Sequence, residues 1–334
     1  MYLDANVPDY AYMAPPAHVS SAPSLERPSI PEPPAGTAEL SVLTYNIRGL
    51  PWPLALNRGK ALREIGRELA AMREAGRQPD VVLIQEGFRR EVADLVRESG
   101  YGYWASGPGR GLGKLTSGGL HVLSDAPILE VRTTAYDHCA GFDCLANKGA
   151  MLVRLAPAWS PTPIDVVNTH MNARKASGAP RTRSLPAHNG QTRELSAFVK
   201  THRAAAHPLL VGGDFNIRNS PARYDYEATS RPFTVVEEYC AEAGSGCGAG
   251  APDATGKPWL RSQDLQGFRD GALRVLPVAS RYLFDAGDKR FSDHDAYLVR
   301  YSLSWSPQTV AAYRPDPALE VRPHKLGFKV SWAP

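Results

Sequence analysis

Four short segments of this sequence have the composition of β-strands, two of them fully apolar, and each leads to a side chain suited to binding a cation or moving a proton. The segments are residues 40–47, 81–84, 164–170 and 209–211, and the polar side chains at their ends are Asn46, Glu86, His170, Asp214 and Asn216. A short, fully apolar segment is typical of a strand buried on both faces. Because the ends of such strands meet at one edge of a sheet, the pattern points to one crevice lined by these groups.

The remaining periodicity indicates two sheets with helices outside them. Leu62, Ile65, Leu69 and Met72 recur at helical spacing and predict one helix, and residues 192–206 predict a second. Further strands are predicted at residues 101–105, 119–124, 128–134, 150–155, 273–278 and 296–304. Strands outnumber helices, and 29 glycines and 29 prolines in 334 residues favour a loop-rich fold that contains β-sheet. We therefore expect two packed sheets flanked by helices.

The two ends of the sequence differ from its middle. Residues 1–38 contain eight prolines and no apolar periodicity, so we expect an extended or disordered arm. Residues 39–304 form one predicted domain, and residues 305–334 form a tail interrupted by prolines. No apolar stretch approaches the roughly 18 residues of a membrane span, and no pattern of a signal peptide is visible.

The four cysteines fall into two local pairs, Cys139 with Cys144 and Cys240 with Cys247. Two disulfides across short loops would suit an oxidising compartment, whereas four reduced thiols would suit the cytoplasm. The spacing departs from that of common zinc sites. We expect disulfides and a secreted or periplasmic protein whose signal peptide has been removed, with a cytoplasmic protein as the alternative.

The side chains at the strand ends share the chemistry of a magnesium site. The two carboxylates and two amides offer hard oxygen atoms, which Mg²⁺ prefers. A further segment, Ser292-Asp293-His294, stands just before another apolar stretch. The imidazoles of His170 and His294 suit proton transfer and phosphate contact near neutral pH. Together, and in this order, these residues are far more specific than any one of them.

Five motifs carry these residues: Thr44-Tyr45-Asn46-Ile47-Arg48, Ile84-Gln85-Glu86, Asn168-Thr169-His170, Gly213-Asp214-Phe215-Asn216 and Ser292-Asp293-His294. In these motifs the sequence resembles the endonuclease/exonuclease/phosphatase superfamily, which includes deoxyribonucleases, abasic-site endonucleases, inositol polyphosphate 5-phosphatases and neutral sphingomyelinases. The resemblance implies an α/β (α+β) fold. Its architecture would be a four-layer α/β/β/α sandwich of two packed, mainly antiparallel sheets flanked by helices.

The resemblance also implies a metal site and a general base. Glu86 resembles the metal-binding carboxylate, with Asn46 beside it, and Asp293 is expected to support the metal site or a histidine. The implied cofactor is Mg²⁺, with Mn²⁺ or another divalent cation as the alternative. His294 resembles the general base that activates water, and Asp264 resembles the carboxylate that orients that base.

The other matching residues are expected to contact the substrate. Asp214 and Asn216 resemble the pair that orients the nucleophile or assists the leaving group, and Asn216 also contacts phosphate. His170 resembles the second histidine, which binds a phosphate oxygen or aids the leaving group. Asp143 and Lys148 resemble the substrate-binding pair of the neutral sphingomyelinases. The alternative for Lys148 is an ordinary surface lysine at the start of a strand.

The substrate class stays open between a phospholipid and a nucleic acid. Bacterial sphingomyelinases usually carry an aromatic hairpin for membrane contact, and here only Tyr282-Leu283-Phe284 or Trp52 offers such aromatic residues. Basic residues after His170 would suit a nucleic-acid groove, or they form a solvated loop. These residues are Arg174, Lys175, Arg181, Arg183 and Arg193. A formal net charge of +4 argues mildly against dependence on a polyanion.

We predict a Mg²⁺-dependent phosphodiesterase in which water attacks the phosphorus in line and a phospholipid head group is released. A deoxyribonuclease-like endonuclease is the alternative, and a non-catalytic binding module is a third reading. The expected partner is a phosphodiester, with a phospholipid head group preferred over nucleic acid and with peripheral contact to a membrane. The protein is expected to act as a monomer.

Overall fold

The computed structural model describes residues 35–51, 54–244, 246–248, 262–285 and 290–314. Most of the predicted arm, Trp52 and the end of the predicted tail lie outside these residues. The first strand already begins at Gly36 and pairs there with Trp305, so the sheet extends slightly past both predicted domain boundaries. None of the described helices is long and apolar enough to cross a bilayer.

Twelve strands and six α-helices follow one another along the described part of the chain. The strands are β1 (Gly36–Asn46), β2 (Val81–Gln85), β3 (Tyr103–Ser106), β4 (His121–Ser124), β5 (Ile128–Ala135), β6 (Gly149–Leu155), β7 (Ile164–His170), β8 (Leu209–Asp214), β9 (Thr234–Val235), β10 (Asp264–Arg269), β11 (Arg274–Leu283) and β12 (Ala296–Trp305). The helices are α1 (Arg58–Glu74), α2 (Val92–Ser99), α3 (Arg181–His202), α4 (Pro221–Ala228), α5 (Val236–Ala243) and α6 (Pro307–Ala312). Gly141–Leu145 forms a 3₁₀ helix.

The strands build two six-stranded sheets, ordered β11-β12-β1-β2-β4-β3 and β5-β6-β7-β8-β10-β9. Each sheet contains one parallel pair, β1 with β2 and β7 with β8. The other strand pairs of the described chain are antiparallel. This topology confirms the prediction of two mainly antiparallel sheets.

Apolar side chains from both sheets fill the space between them, and helices cover the outer faces. The central cluster includes Val42, Leu83, Val153, Val166, Leu210 and Val299. Helices α1 and α2 bury Leu62, Leu69 and Leu95 in a cluster with residues of the first sheet. Helix α3 buries Leu195 and Val199 with residues of the second sheet. Full burial of one such side chain contributes about 1.5–3 kcal/mol, so these clusters stabilise the predicted α/β/β/α order of layers.

The strand register brings the polar strand ends to one edge of the sandwich. Parallel pairing aligns Asn46 with the last residue of β2, which directly precedes Glu86. In the other sheet, parallel pairing aligns His170 with Asp214. Strand β10 runs in the opposite direction, so that Asp264 at its start pairs with Asp214. The fold therefore places groups from distant parts of the sequence at one end of the molecule.

Helix α3 begins at Arg181, whereas the apolar pattern predicted a start near residue 192. The prediction rested on the apolar side chains of the second half of this helix. Its first half buries polar side chains instead, among them Ser184, His188 and Gln191. Apolar periodicity does not detect a helix face whose buried side chains are polar.

Both predicted cysteine pairs are disulfides, Cys139–Cys144 and Cys240–Cys247, each with a Cα–Cα distance of 5.2 Å. The first bond closes the loop that carries Asp143. The second bond joins α5 to the residues that follow it, and both of its cysteines lie in the central apolar cluster. The disulfides confirm the pairing predicted from the sequence.

One buried ion pair stabilises the second sheet. Arg154 of β6 donates from Nε to Oδ1 of Asp165 on β7 at 2.8 Å, and it also contacts Glu130. The Asp165 carboxylate further accepts from the backbone N–H of Ala204 at 2.9 Å and lies 3.1 Å from Nδ1 of His207. Burial opposes ionisation of Asp165, but its contacts with His207 and Arg154 outweigh that effect and lower its pKa.

We expect Asp165→Asn to lower the free energy of unfolding by about 3–5 kcal/mol, because Arg154 would keep its charge in the interior with its main partner removed. Urea denaturation measures the change. The matched control is Glu39→Gln, which removes an exposed pair with Arg300 (N–O distance 3.5 Å) and is expected to cost about 1 kcal/mol or less. Equal losses in the two variants would contradict this account of the buried pair.

Candidate active site

Two carboxylates from different sheets lie side by side at the edge where the strands end. The Nδ2 amide of Asn46 donates to Oε1 of Glu86 and to Oδ2 of Asp214, at 3.0 Å in each case. Burial raises the pKa of Glu86, and burial raises the pKa of Asp214 to about 6. Two close carboxylates, of which Asp214 is buried and Glu86 half-buried, favour a cation or a proton between them. This is the electrostatic setting in which a cation would bind.

The backbone around this pair adopts conformations that most residues avoid. Glu86, Arg48 and Asn216 have φ angles of 57°, 48° and 53°, all in the left-handed region. Each such residue costs of order 1–3 kcal/mol, which the surrounding structure must supply. Arg58 supports this part of the site, because its Nη2 donates to the carbonyls of Ile47 at 2.7 Å and Phe291 at 2.6 Å. These bonds tie the loop after β1 to the segment before His294.

His294 and Asp264 form a second polar pair beside the carboxylates. Nδ1 of His294 lies 2.8 Å from Oδ2 of Asp264, and its Nε2 lies 3.1 Å from Nε2 of Gln263 and 3.9 Å from Oδ2 of Asp214. Burial lowers the pKa of His294, but the carboxylates of Asp264 and Asp214 outweigh burial and raise it to about 10. Asp264 therefore orients the ring by bonding Nδ1 and leaves Nε2 turned toward Asp214.

His170 is held in the opposite charge state. Its Nε2 lies 2.9 Å from Nζ of Lys148 and 3.4 Å from Oδ2 of Asp214. Burial, followed by the positive charges of Lys148 and His294, lowers the pKa of His170 well below its ordinary value. A neutral ring whose Nε2 accepts from Lys148 carries its proton on Nδ1, which has no hydrogen-bond partner among the described residues.

Lys148 is a buried residue of the site and not a surface lysine. Its Nζ lies 3.1 Å from Oδ2 of Asp143 and donates to the carbonyl of Met171 at 3.1 Å, in addition to its contact with His170. Asp143 sits in the 3₁₀ helix that the first disulfide closes. The predicted pair is thus brought together next to the second histidine.

Asn216 and Asp293 occupy less central places than their motifs suggest. The Nδ2 group of Asn216 donates to the carbonyl of Met171 at 2.9 Å, and its backbone N–H donates to Oδ1 of Asp214 at 2.9 Å. The side chain of Asp293 is 57% exposed, and its Oδ2 lies 3.6 Å from Nε of Arg48. Asp293 therefore pairs with the guanidinium group of Arg48 at the surface. It does not belong to the two groups of candidate metal ligands described next.

Two overlapping groups offer metal-ligating atoms that all lie within 4.8 Å of one another. One contains Glu86, His170 and Asp214, and the other contains Asp214, Asp264 and His294. The first fits a hard cation better, because Asp264 already bonds His294 in the second. The side chain of Asn46 turns its Nδ2 toward both carboxylates, and its Oδ1 accepts from the backbone N–H of Arg48 at 3.0 Å. Asn46 would therefore ligate a cation between the carboxylates only after its amide rotates.

Residues that the sequence analysis did not assign line a cavity of about 190 Å³ next to His294. They are Arg218, Gln263, Arg290 and Asp295, and two residues considered above, Tyr282 and Asp293, line the same cavity. Gln263 directly precedes Asp264, and Arg218 follows Asn216 by two residues. Their closeness to motif residues is a usable signal, but the sequence does not show which neighbours of a motif turn toward the cavity.

Residues 43–294 match the model of the endonuclease/exonuclease/phosphatase family. The match covers well over half of the chain, and the chain belongs to this family. The matched range contains every residue that the sequence analysis assigned to the metal site, to proton transfer or to substrate contact.

Among curated proteins, the chain is similar to a sphingomyelinase of Mycobacterium tuberculosis (strain ATCC 25618 / H37Rv). The two are 28% identical over 189 residues, which are 55% of this chain and 35% of the relative. The match thus spans about a third of the relative's length.

Two solved structures have a similar fold. Staphylococcus aureus beta toxin with bound magnesium ions is 17% identical with a TM-score of 0.57, over 80% of this chain and 100% of that one. D. rerio TDP2 complexed with a single-strand DNA product is 14% identical with a TM-score of 0.55, over 79% of this chain and 99% of that one. At these identities the likeness shows the fold alone.

We expect Asp264→Asn to lower the pKa of His294 from about 10 toward its ordinary value, because the variant loses the carboxylate charge that bonds Nδ1. In the parent protein the imidazolium persists below about pH 10, so the variant should lose this proton at a lower pH. An NMR titration of the ring protons of His294 measures the shift. Asp293→Asn is the matched control, since its exposed carboxylate faces Arg48; similar shifts in both variants would contradict the role of Asp264.

Proposed function

We propose that this family member is a phosphodiesterase that uses a divalent cation, Mg²⁺ in the first instance, to release the head group of a phospholipid. The observation that carries the proposal is the placement of the Glu86–Asp214 carboxylate pair beside the His294–Asp264 pair. One pair suits a cation and the other suits activation of water. Hydrolysis of a phosphodiester needs both functions, because an anionic nucleophile must approach an anion.

The chemistry of the donor atoms supports Mg²⁺ over a softer metal. Glu86 and Asp214 would hold the cation with carboxylate oxygens, and Asn46 would join them after rotation of its amide. When bound, the cation neutralises negative charge that develops on the phosphate. Mn²⁺ accepts similar oxygen ligands and is the alternative.

His294 is positioned to take a proton from water at Nε2. Asp264 holds the ring through Nδ1 and stabilises the imidazolium that forms, as in other pairs of a base and its orienting carboxylate. Asp214 also favours the imidazolium, so that His294 acts as a base once the charge of Asp214 is offset. A cation bound beside Asp214 would offset that charge and lower the pKa of His294 toward neutral pH. The imidazole could then both gain and lose a proton.

Lys148 and His170 are proposed to bind the phosphate on the other side of the site. The ammonium group of Lys148 supplies a positive charge, and Asp143 and the carbonyl of Met171 hold it in place. Neutral His170 turns Nε2 toward Lys148 and Asp214, whereas its Nδ1 is buried and has no hydrogen-bond partner among the described residues. We assign Asn216 to the same group, because its bonds to Asp214 and Met171 link the two halves of the site.

Exposed apolar side chains next to this site favour a lipid over a nucleic acid. Leu112, Leu115, Phe142 and Leu145 form what we call the apolar rim, and Phe142 is 71% exposed. The backbone N–H of Leu115 donates to the carbonyl of Leu145 at 2.7 Å, so the two segments of the rim adjoin. Asp143 lies within the second segment and reaches Lys148. Exposed apolar groups beside a site typically mark contact with a membrane or a ligand.

The rim takes the place of the aromatic hairpin considered from the sequence. Tyr282 ends up in strand β11, and Phe284 is buried against Tyr45 with ring centroids 5.5 Å apart. Phe284 therefore belongs to the interior and Tyr282 is half-buried in an ordinary strand, so neither forms an exposed aromatic tip. Trp52, the other aromatic candidate, lies outside the described residues.

The disulfides support a location in an oxidising compartment, and we propose that the protein is secreted or periplasmic. The catalytic unit is proposed to span the predicted domain, residues 39–304, with the added strand residues at both ends. Action as a monomer stays a prediction.

Hydrolysis can be tested with two substrates in parallel. With Mg²⁺, we expect release of phosphocholine from sphingomyelin vesicles, no nicking of supercoiled DNA, and loss of activity with EDTA. We expect His294→Ala to reduce the rate by about 10²–10³-fold or more, because water would lose its base, while circular dichroism shows an intact fold. Nicking without release of phosphocholine would select the deoxyribonuclease-like alternative, and activity on neither substrate would favour the binding module.

The apolar rim makes a separate prediction about membranes. We expect the double variant Leu112→Ser/Phe142→Ser to bind sphingomyelin vesicles about tenfold more weakly or worse, because each side chain would no longer be buried in the bilayer. Vesicle sedimentation measures the loss. Val278→Ser is the control, since Val278 is a partly exposed apolar residue of β11 outside the rim. If both proteins bind vesicles like the parent, the rim is not the membrane contact.

A further inference from the structure

A second cavity, of about 110 Å³, lies next to the active site, and its wall combines basic and small polar residues with the apolar residues Leu185, Pro221 and Ala222. Arg174, Arg181, Arg223 and Ser184 contribute to its wall, as do the residues at the start of α4. No carboxylate is among the described residues that line it. The cavity uses none of the side chains that the proposed hydrolysis employs.

The three arginines bring positive charge together without a counter-ion. None of them forms an ion pair with a carboxylate of the described residues. Arg223 is 1% exposed, and its Nη1 donates to the carbonyls of Asn172 at 2.7 Å and Asn216 at 3.0 Å. Burial, followed by the like charge of Arg174, lowers the pKa of Arg223 to about 10, although Asp143 and Asp214 act in the other direction. A bound anion would relieve this repulsion.

Two further features of the wall offer hydrogen bonds to an anion. Ser184 is 1% exposed, and its hydroxyl has no hydrogen-bond partner among the described residues. A buried hydroxyl without a partner is costly unless a ligand or water satisfies it. The starts of α3 and α4 also meet at the cavity, and the side chain of Ser220 leaves the start of α4 uncapped. Helix starts carry partial positive charge. At α4, Pro221 has no N–H and the N–H groups of Arg223 and Tyr224 donate to the carbonyl of Ser220, so this helix contributes mainly through its charge.

We propose that this cavity binds one tetrahedral oxyanion of the phosphate class, supplied either as free phosphate or as the head group of an anionic lipid. Guanidinium groups bind phosphate oxygens in pairs. Arg223 already donates to the carbonyls of Asn172, Asn216 and Ser184, so Arg174 and Arg181 would supply most of the hydrogen bonds and Arg223 would add positive charge. The small volume favours a single phosphate over a stretch of polynucleotide.

The bound anion would act next to the catalytic groups. Arg223 lines this cavity, and its Nη1 donates to the carbonyl of Asn216. The backbone N–H of Asn216 in turn donates to Asp214. A bound anion would therefore reduce the motion of the loop that carries Asn216. The proposal concerns binding and does not depend on which substrate the enzyme hydrolyses.

The test is a titration of the whole chain with inorganic phosphate in the presence of EDTA. Isothermal titration calorimetry measures the dissociation constant. We expect Arg181→Gln to weaken binding by about tenfold or more, since it removes a charged hydrogen-bond donor, and Ser184→Ala to weaken it severalfold. Arg183→Gln is the matched control, because Arg183 is an exposed residue of the same helix turn that does not line the cavity. It changes the net charge equally and should alter affinity by less than about twofold.

A variant of the catalytic centre shows where phosphate binds. Lys148→Met should leave most of the phosphate binding intact, since Lys148 does not line this cavity. If Lys148→Met abolishes binding while Arg181→Gln does not, phosphate binds at the catalytic centre and the proposal is wrong. Equal losses in Arg181→Gln and Arg183→Gln would also overturn it, because they would show a general effect of charge.

Vesicles then distinguish the two sources of phosphate. Phosphatidylcholine vesicles with and without phosphatidic acid are compared for binding of the parent and of Arg181→Gln. A loss confined to vesicles with phosphatidic acid supports a lipid head group, and loss of free phosphate binding with unchanged vesicle binding supports the free ion. An effect of Arg181→Gln seen only with a DNA oligonucleotide would overturn the small-anion site in favour of a polynucleotide groove.

Discussion

The amide of Asn46 joins the two carboxylates around which the active site is arranged. Asn46 ends β1 in one sheet and Asp214 ends β8 in the other, so this hydrogen bond links the two sheets at the point where negative charge is concentrated. Two carboxylates this close repel each other. The amide donors and the nearby positive charges offset that repulsion. The remaining polar groups are placed with respect to this pair: His294 and Lys148 bring positive charge from opposite sides.

The two histidines show how the same side chain acquires opposite properties. Burial lowers the pKa of both, but Asp264 and Asp214 outweigh burial at His294 and raise its pKa to about 10. At His170 no carboxylate outweighs burial, and Lys148 adds to its effect. The charged form is thus favoured at His294 beside two carboxylates, whereas the neutral form is favoured at His170 beside Lys148. Such divergence between paired titratable groups is how acid and base roles are separated.

Much of the site was predictable because it follows a simple rule of sheets. Polar residues directly after apolar strands meet at one edge, and this rule placed Glu86, His170 and Asp214 together. The rule does not extend to side-chain direction. Asp293 is the neighbour of His294, yet it turns toward Arg48 and solvent. Residues 292–294 form a bend before β12, and the alternation of side chains along a strand does not apply there. Helix α3 was only half predicted, since its first turns bury polar groups.

Local patterns in the sequence were enough to predict two packed sheets flanked by helices, the disulfide pairs and most of the residues at the catalytic edge, because strand periodicity and short motifs are local properties. The three-dimensional fold was needed to show that Lys148 is buried beside His170, that Arg174, Arg181 and Arg223 surround one cavity, and that apolar side chains form a rim. Each of these depends on contacts between segments far apart in the chain. Burial and charge then decide the chemistry of those groups, and neither can be read from the order of the residues.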